Sequence, residues 1–268
     1  MKREEIFLSG GKKVPNRFAL VRDTDQSIFA TCGRVYRPFQ NKSCFKFFDG
    51  IIEQGAAIYH TAGSILGGRK IWVLAKLPEE FTVHGEDLIE EYILLSNSHD
   101  GTSPIVACIT PTRVVCQNTL NFALAEAVNR VSIRHTINAE HALQEAHKVM
   151  GIAHKQFAEA NKYFNQLAVS NINVSQFTSY LDMVFPTVAE NTTKTDAIKA
   201  RVTSLFEGDA KGSDLPGFKG TLWGAYNSVV EFVDYKPGHK NRLDAVWFGN
   251  GAKKKSQAFE SAVAMATA

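Results

Sequence analysis

Between Tyr92 and Asn121 the chain reads YILLSNSHDGTSPIVACITPTRVVCQNTLN, two apolar, β-rich runs around a polar turn. Tyr92-Ile93-Leu94-Leu95 leads into Ser96 to Ser103, and Ile105 to Ile109 returns. The turn contains Asp100-Gly101, and glycine accepts the positive φ that a tight reversal needs, so the stretch specifies a strand pair. Beyond Thr110-Pro111-Thr112-Arg113 and Val114-Val115-Cys116 the period changes. Leu120, Leu124, Ala127, Val128 and Val131 recur at helical spacing, which predicts a helix starting at Asn118. Everything before this switch reads mostly as strand, and everything after it mostly as helix.

Phe18 to Arg22 and Ser27 to Cys32 form a predicted hairpin around Asp23-Thr24-Asp25-Gln26. Asn41 is positioned to cap a helix from Lys42 to Gln54, with Phe45, Phe48, Ile51 and Ile52 on one face. Ala56 to Ala62 and Arg69 to Leu77 are the next strands, joined across Gly67-Gly68, with a short strand at Phe81-Thr82-Val83. After the break at Ile133 to Thr136, a long helix is expected from Ala139 to Leu167. Shorter helices follow over Gln176 to Val184, with Ser175 as cap, then Thr193 to Phe206 and Thr221 to Tyr235. Segregated strands and helices specify an α+β fold. The expected architecture is an antiparallel sheet with an inserted helix in the N-terminal half, packed against long helices in the C-terminal half. The expected divisions are an arm over 1–17, an α+β core over 18–170 and a helical region over 171–268 with a basic, aromatic end.

A chain of 268 residues with 44% hydrophobic content supports a sizeable core, and 18 Phe predict Phe-rich packing. A net charge of +3 permits a polyanionic partner without demanding one. Cys32, Cys44, Cys108 and Cys116 form no C-x-x-C pair, so neither a zinc ribbon nor a redox motif is indicated, and free thiols are expected. The N-terminus has no apolar signal core, and no run of about 18 apolar residues occurs. A soluble, cytoplasmic protein of a bacterial host cell, without membrane contact, is the expectation.

Gly67-Gly68-Arg69-Lys70 has two readings, a phosphate cradle at a hairpin tip or a turn with solvated charges; the P-loop frame is missing. His99 beside Asp100 has the composition of an oriented base, but a local Asp-Gly turn accounts for the same residues, so no catalytic residue is assigned. The histidines lack metal-ligand spacing, and no metal or cofactor is expected. Arg113 and Arg134 are enclosed by apolar runs, which fits either a specific contact or an internal ion pair. Lys236, His239, Lys240, Arg242, Lys253, Lys254 and Lys255 interleave with Tyr235, Trp247 and Phe248. Basic charge with aromatics is the composition of a single-strand platform.

Several blocks occur in an order that resembles the phage- and plasmid-encoded family called domain of unknown function 932. They are Tyr36-Arg37-Pro38-Phe39-Gln40-Asn41, Thr61 to Ser64 with Gly67 to Trp72, Tyr92 to Gly101 and Thr110 to Leu120. Ile133-Arg134-His135-Thr136, Leu222 to Asn227 and Trp247 to Gly251 complete the set. The resemblance implies a mobile-element origin and names no reaction. A second likeness concerns fold alone: strands, an inserted helix and a long helix across the sheet are similar to Rad-fifty-two-type single-strand annealing proteins, which form rings on single-stranded DNA.

These readings together predict a non-enzymatic, homo-oligomeric protein that binds single-stranded DNA, in the strand-annealing class. The contact residues would be Arg69, Lys70, Arg113, Arg134, Lys240, Arg242, Trp247, Lys253, Lys254 and Lys255. The rival readings are a nucleic-acid-processing enzyme using His99, Asp100 and Arg113, and a self-assembling factor that binds a host protein.

Overall fold

A computed structural model describes residues 1–52, 57–113, 115, 118–119, 130–187, 192–235 and 242–268. The fold is α+β with antiparallel sheets, and its helices concentrate in the C-terminal half. The chain divides into two compact units, neither of them continuous in sequence. The first comprises Met1–Pro78, Tyr92–Ile109 and Val128–Ala153, and the second Glu79–Glu91, Thr110–Ala127 and His154–Ala268.

The first unit carries a three-stranded sheet of β1 (Lys2–Phe7), β2 (Lys13–Val21) and β3 (Ile28–Gly33), in that order. Residues 1–17, expected as a loose arm or edge segment, supply the edge strand β1 and the start of β2. Lys2 pairs with Val21 and Glu5 with Phe18, while Arg17 pairs with Gly33 and Phe18 with Cys32. Leu20, Val21 and Cys32 are buried and most of β1 is exposed, so one edge of this sheet is charged and solvated.

A second sheet runs β4 (Ile58–Ile65), β5 (Lys70–Val83), β6 (Asp87–Ser98), β7 (Ile105–Arg113) and β8 (Asn118–Thr119), with β9 (Arg130–Ile133) also on β7. The predicted short strand at Phe81 is the continuation of β5. The helix predicted from Asn118 is corrected at both ends. Asn118 and Thr119 pair with Arg113 and Thr112, and Val131 and Ile133 with Ala107 and Ile105. Its middle, 120–129, lies outside the described residues.

In the first unit, α1 (Asn41–Ile52) buries Cys44, Phe47 and Phe48 among Val73, Ala75, Leu77, Ile93, Leu95, Ile105 and Ala107. The buried face differs from the expected one, since Phe45 is exposed. Alternate residues of β5 supply one wall of this core, as the period of a strand requires. Gly63 is needed on β4, because a Cβ there would lie 2.7 Å from the Trp72 indole.

The second unit is built on α5 (Leu222–Tyr235), apolar almost all round and buried accordingly. Trp223, Tyr226, Val229 and Val230 meet Phe164 of α2 (Ala139–Val169), Tyr180 of α3 (Val174–Val184), Val202 of α4 (Thr192–Ser204) and Phe259 of α7 (Asn250–Thr267). Gly224 is obligatory, since a Cβ would sit 2.0 Å from the Phe218 carbonyl oxygen. The cap of α3 is Asn173 rather than Ser175. Its side chain accepts from Gln176 N while Gln176 returns a bond to Asn173 N, a reciprocal capping box. The C-terminal basic, aromatic stretch is helical from Arg242 to Trp247 (α6) and again through α7. No helix among the described residues is long and apolar enough to cross a membrane.

Candidate nucleic-acid interface

Four sequence blocks far apart in the chain meet in the first unit. Tyr36 to Asn41 leads into the first residue of α1, Gly67 to Lys70 joins β4 to the start of β5, Ser96 to Thr102 closes β6, and Ile133 to Thr136 closes β9. Asn97 links two of them, donating from Nδ2 to Phe39 O at 3.0 Å and facing His135 Nε2 with Oδ1 at 2.9 Å. The backbone N–H of His99 donates to Arg69 O at 2.6 Å, and that of Arg37 donates to His135 O at 2.9 Å. Tyr36 stacks on His135, with centroids 4.9 Å apart and planes 19° from parallel.

These groups are scaffold rather than a proton-transfer device. Asp100 accepts from Ser98 Oγ at 2.5 Å and from Thr102 N and Oγ1 at 3.0 and 2.6 Å, so its carboxylate holds the turn. His99 instead places Nε2 2.6 Å from Asn41 Oδ1. An acceptor there puts the ring proton on Nε2 and leaves Nδ1, which is buried without a partner, as a lone pair. Burial lowers the pKa of His99 to about 4, and burial also lowers that of His135 against the pull of the Ser98 carbonyl. Both rings are neutral near pH 7.

Around this scaffold lies a group of arginines that the sequence reading missed. Arg3 Nη1 donates to Arg34 O at 3.0 Å and to Tyr36 O at 2.9 Å. Arg37 Nη1 donates to the same two oxygens, at 2.8 and 3.1 Å. Two guanidinium groups on common acceptors lie no further apart than two hydrogen bonds laid end to end. Burial raises the pKa of Cys32, and Arg3, Arg37 and Arg17 oppose that rise, which places Arg17 in the same neighbourhood. Arg17, Arg34, Arg69 and Arg134 are exposed. Among the described residues no carboxylate pairs with any of these six arginines. The first 37 residues hold eight Lys and Arg against four Asp and Glu, an available signal hidden by reading 1–17 as an arm.

The predicted contact residues divide. Arg69 and Arg134 stand at this surface, Arg69 with its guanidinium 5.9 Å from the Phe29 ring centre. Lys70 is corrected to a buried position. The Gly67-Gly68 turn is also occupied structurally, since Gly67 O accepts from Arg22 Nη1 at 3.1 Å.

The remainder belong to the second unit, where Arg113 is corrected from a surface contact to a core group. It is fully buried, with Nε 2.6 Å from Asp87 Oδ2, and Nη1 and Nη2 each 2.9 Å from the carbonyls of Lys211 and Gly212. The internal ion pair is the reading the structure bears out, and Trp223 Nε1 donates to the same Asp87 oxygen at 2.9 Å. Lys255 is likewise buried, with Nζ 2.9 Å from Asp234 Oδ1. Lys254 caps the Val184 carbonyl at 2.5 Å. Lys253 and Arg242 are exposed, Trp247 is half-buried, and Lys240 lies outside the described residues.

Residues 29–260 match the model of domain of unknown function DUF932. The chain belongs to that family. No curated protein and no solved structure matches it. The DUF932 range holds all four blocks of the scaffold with Arg34, Arg37, Arg69 and Arg134, whereas Arg3 and Arg17 precede it.

Proposed function

We propose that this chain is a single-stranded DNA-binding protein of a phage or plasmid, acting without enzymatic chemistry through the arginine surface of its first unit. The observation that supports this most is the Arg3 and Arg37 pair on shared carbonyls. Like charges repel, and nothing among the described residues neutralises these two. A phosphate between them would relieve that repulsion and gain charge-assisted hydrogen bonds from planar donors suited to it. Arg17, Arg34, Arg69 and Arg134 would follow further phosphates of one strand. The enzyme alternative has no comparable support, because Asp100 and Arg113 are committed to structural partners.

Assembly belongs to the same proposal. β3 and β4 end their sheets and contain no Asp, Glu, Lys, Arg or Pro, the residues that usually protect an edge. Edge-to-edge association of copies would align arginine surfaces along one strand, as annealing requires.

Fluorescence anisotropy with labelled oligonucleotides of several sequences tests the reading. Binding should vary little with sequence and weaken roughly 50-fold between 50 and 200 mM salt if about four phosphates are neutralised. No binding at low salt to any of them would overturn it.

A further inference from the structure

Two exposed apolar side chains flank the tie between the arginine-bearing loops. Val35 is 74% exposed and Ile137 is 82% exposed, among the most exposed large hydrophobic residues of the chain. Val35 lies two residues before Arg37 and Ile137 two residues after His135, the pair joined by the 2.9 Å backbone hydrogen bond. The Tyr36 ring stacked on His135 stiffens the same tie. Single exposed aliphatic residues are ordinary, but these are held on braced loops beside exposed Arg34 and Arg134.

We infer that Val35 and Ile137 contact the faces of unpaired bases, so that this surface selects single strands over duplex. The inference rests on the nucleic-acid reading above. The flanking arginines favour an anion on both sides, and the apolar tips favour a non-polar face between those charges. A single strand offers both, phosphates with unstacked bases, whereas a duplex buries its base faces.

The test compares wild type with a Val35→Ser, Ile137→Ser variant on a single-stranded oligonucleotide and on its duplex at equal salt. A 2-aminopurine in the single strand reports base unstacking. The variant should keep its melting temperature, bind the single strand about tenfold more weakly, bind duplex unchanged and lose the 2-aminopurine signal. Unchanged strand preference and signal would overturn this inference while leaving the arginine reading intact. Absence of any salt-dependent binding by wild type would overturn both. A variant with unchanged DNA binding but an altered mass in mass photometry would overturn it in favour of a second copy as the occupant.

Discussion

Arg3 and Arg37 donate to the same two carbonyl oxygens, those of Arg34 and Tyr36, and neither has a carboxylate partner among the described residues. One residue opens the N-terminal sheet and the other leads into α1. Their meeting gives the loop at Tyr36 its shape and concentrates positive charge beside it. Charge and fold are therefore coupled at this point, and substitutions can separate them.

Arg37→Lys keeps the charge but replaces Nη1, the one nitrogen that donates to both carbonyls, with an ammonium on a shorter side chain. It should lower the melting temperature by a few degrees and change DNA affinity less than threefold. Arg37→Gln should lower affinity about tenfold. Equal losses of affinity in both variants would show that loop shape, not charge, governs binding. Thermal melts and anisotropy on the same samples distinguish the two.

Asp87 holds both Arg113 and Trp223 in the core of the second unit. Asp87→Ala leaves a buried guanidinium without its counter-charge and should destabilise the protein by about 3–5 kcal/mol. Replacing Asp87 by Leu and Arg113 by Met together should recover part of that loss, because the guanidinium goes with its partner while Trp223 Nε1 still loses its acceptor. Urea unfolding of the three proteins measures this, and an unstable double variant would contradict it.

His99 is held neutral by burial, its pKa lowered from 6.5 to about 4. The unfolded chain binds a proton near 6.5 that the folded protein resists, so this contribution is present above pH 6.5 and is lost as pH falls towards 4. The loss should be on the order of 3 kcal/mol between pH 7 and pH 4. His99→Gln should be less stable at pH 7 but flatter over this window. Parallel stability curves for variant and wild type would refute the assignment.

The β4 edge carries exposed Ile58 and no charge. Wild type should form a higher oligomer at micromolar concentration, and Ile58→Lys with Ser64→Lys should shift it towards monomer by placing charge on that edge. Mass photometry reads both. A wild type that stays monomeric with and without DNA would remove assembly from the account.

Local chemistry made much of the fold legible. The Asp100-Gly101 turn, the Asn41 helix start and the apolar periodicity of α5 each carry their signal within a few residues. The arginines divided differently, because their fate depends on distant partners. Arg113 meets an aspartate 26 residues earlier, and Lys255 one 21 residues earlier, and no spacing rule connects them. The basic stretch at Lys253 to Lys255 showed composition but not that one of its members faces Asp234. Arg3 and Arg17 were hidden for the opposite reason. Their strand alternation is short and mostly exposed, so it lacked the apolar face that marks a strand in sequence.

The salt dependence of single-strand binding tests the central claim most directly. Each phosphate neutralised on a single strand contributes about 0.7 to the slope of log affinity against log salt. Arg3→Gln with Arg37→Gln, in a protein shown to remain folded, should release the one phosphate held between them, make that slope shallower by about 0.7 and weaken binding at low salt. A folded double variant with the affinity and slope of wild type would contradict the placement of DNA on this surface.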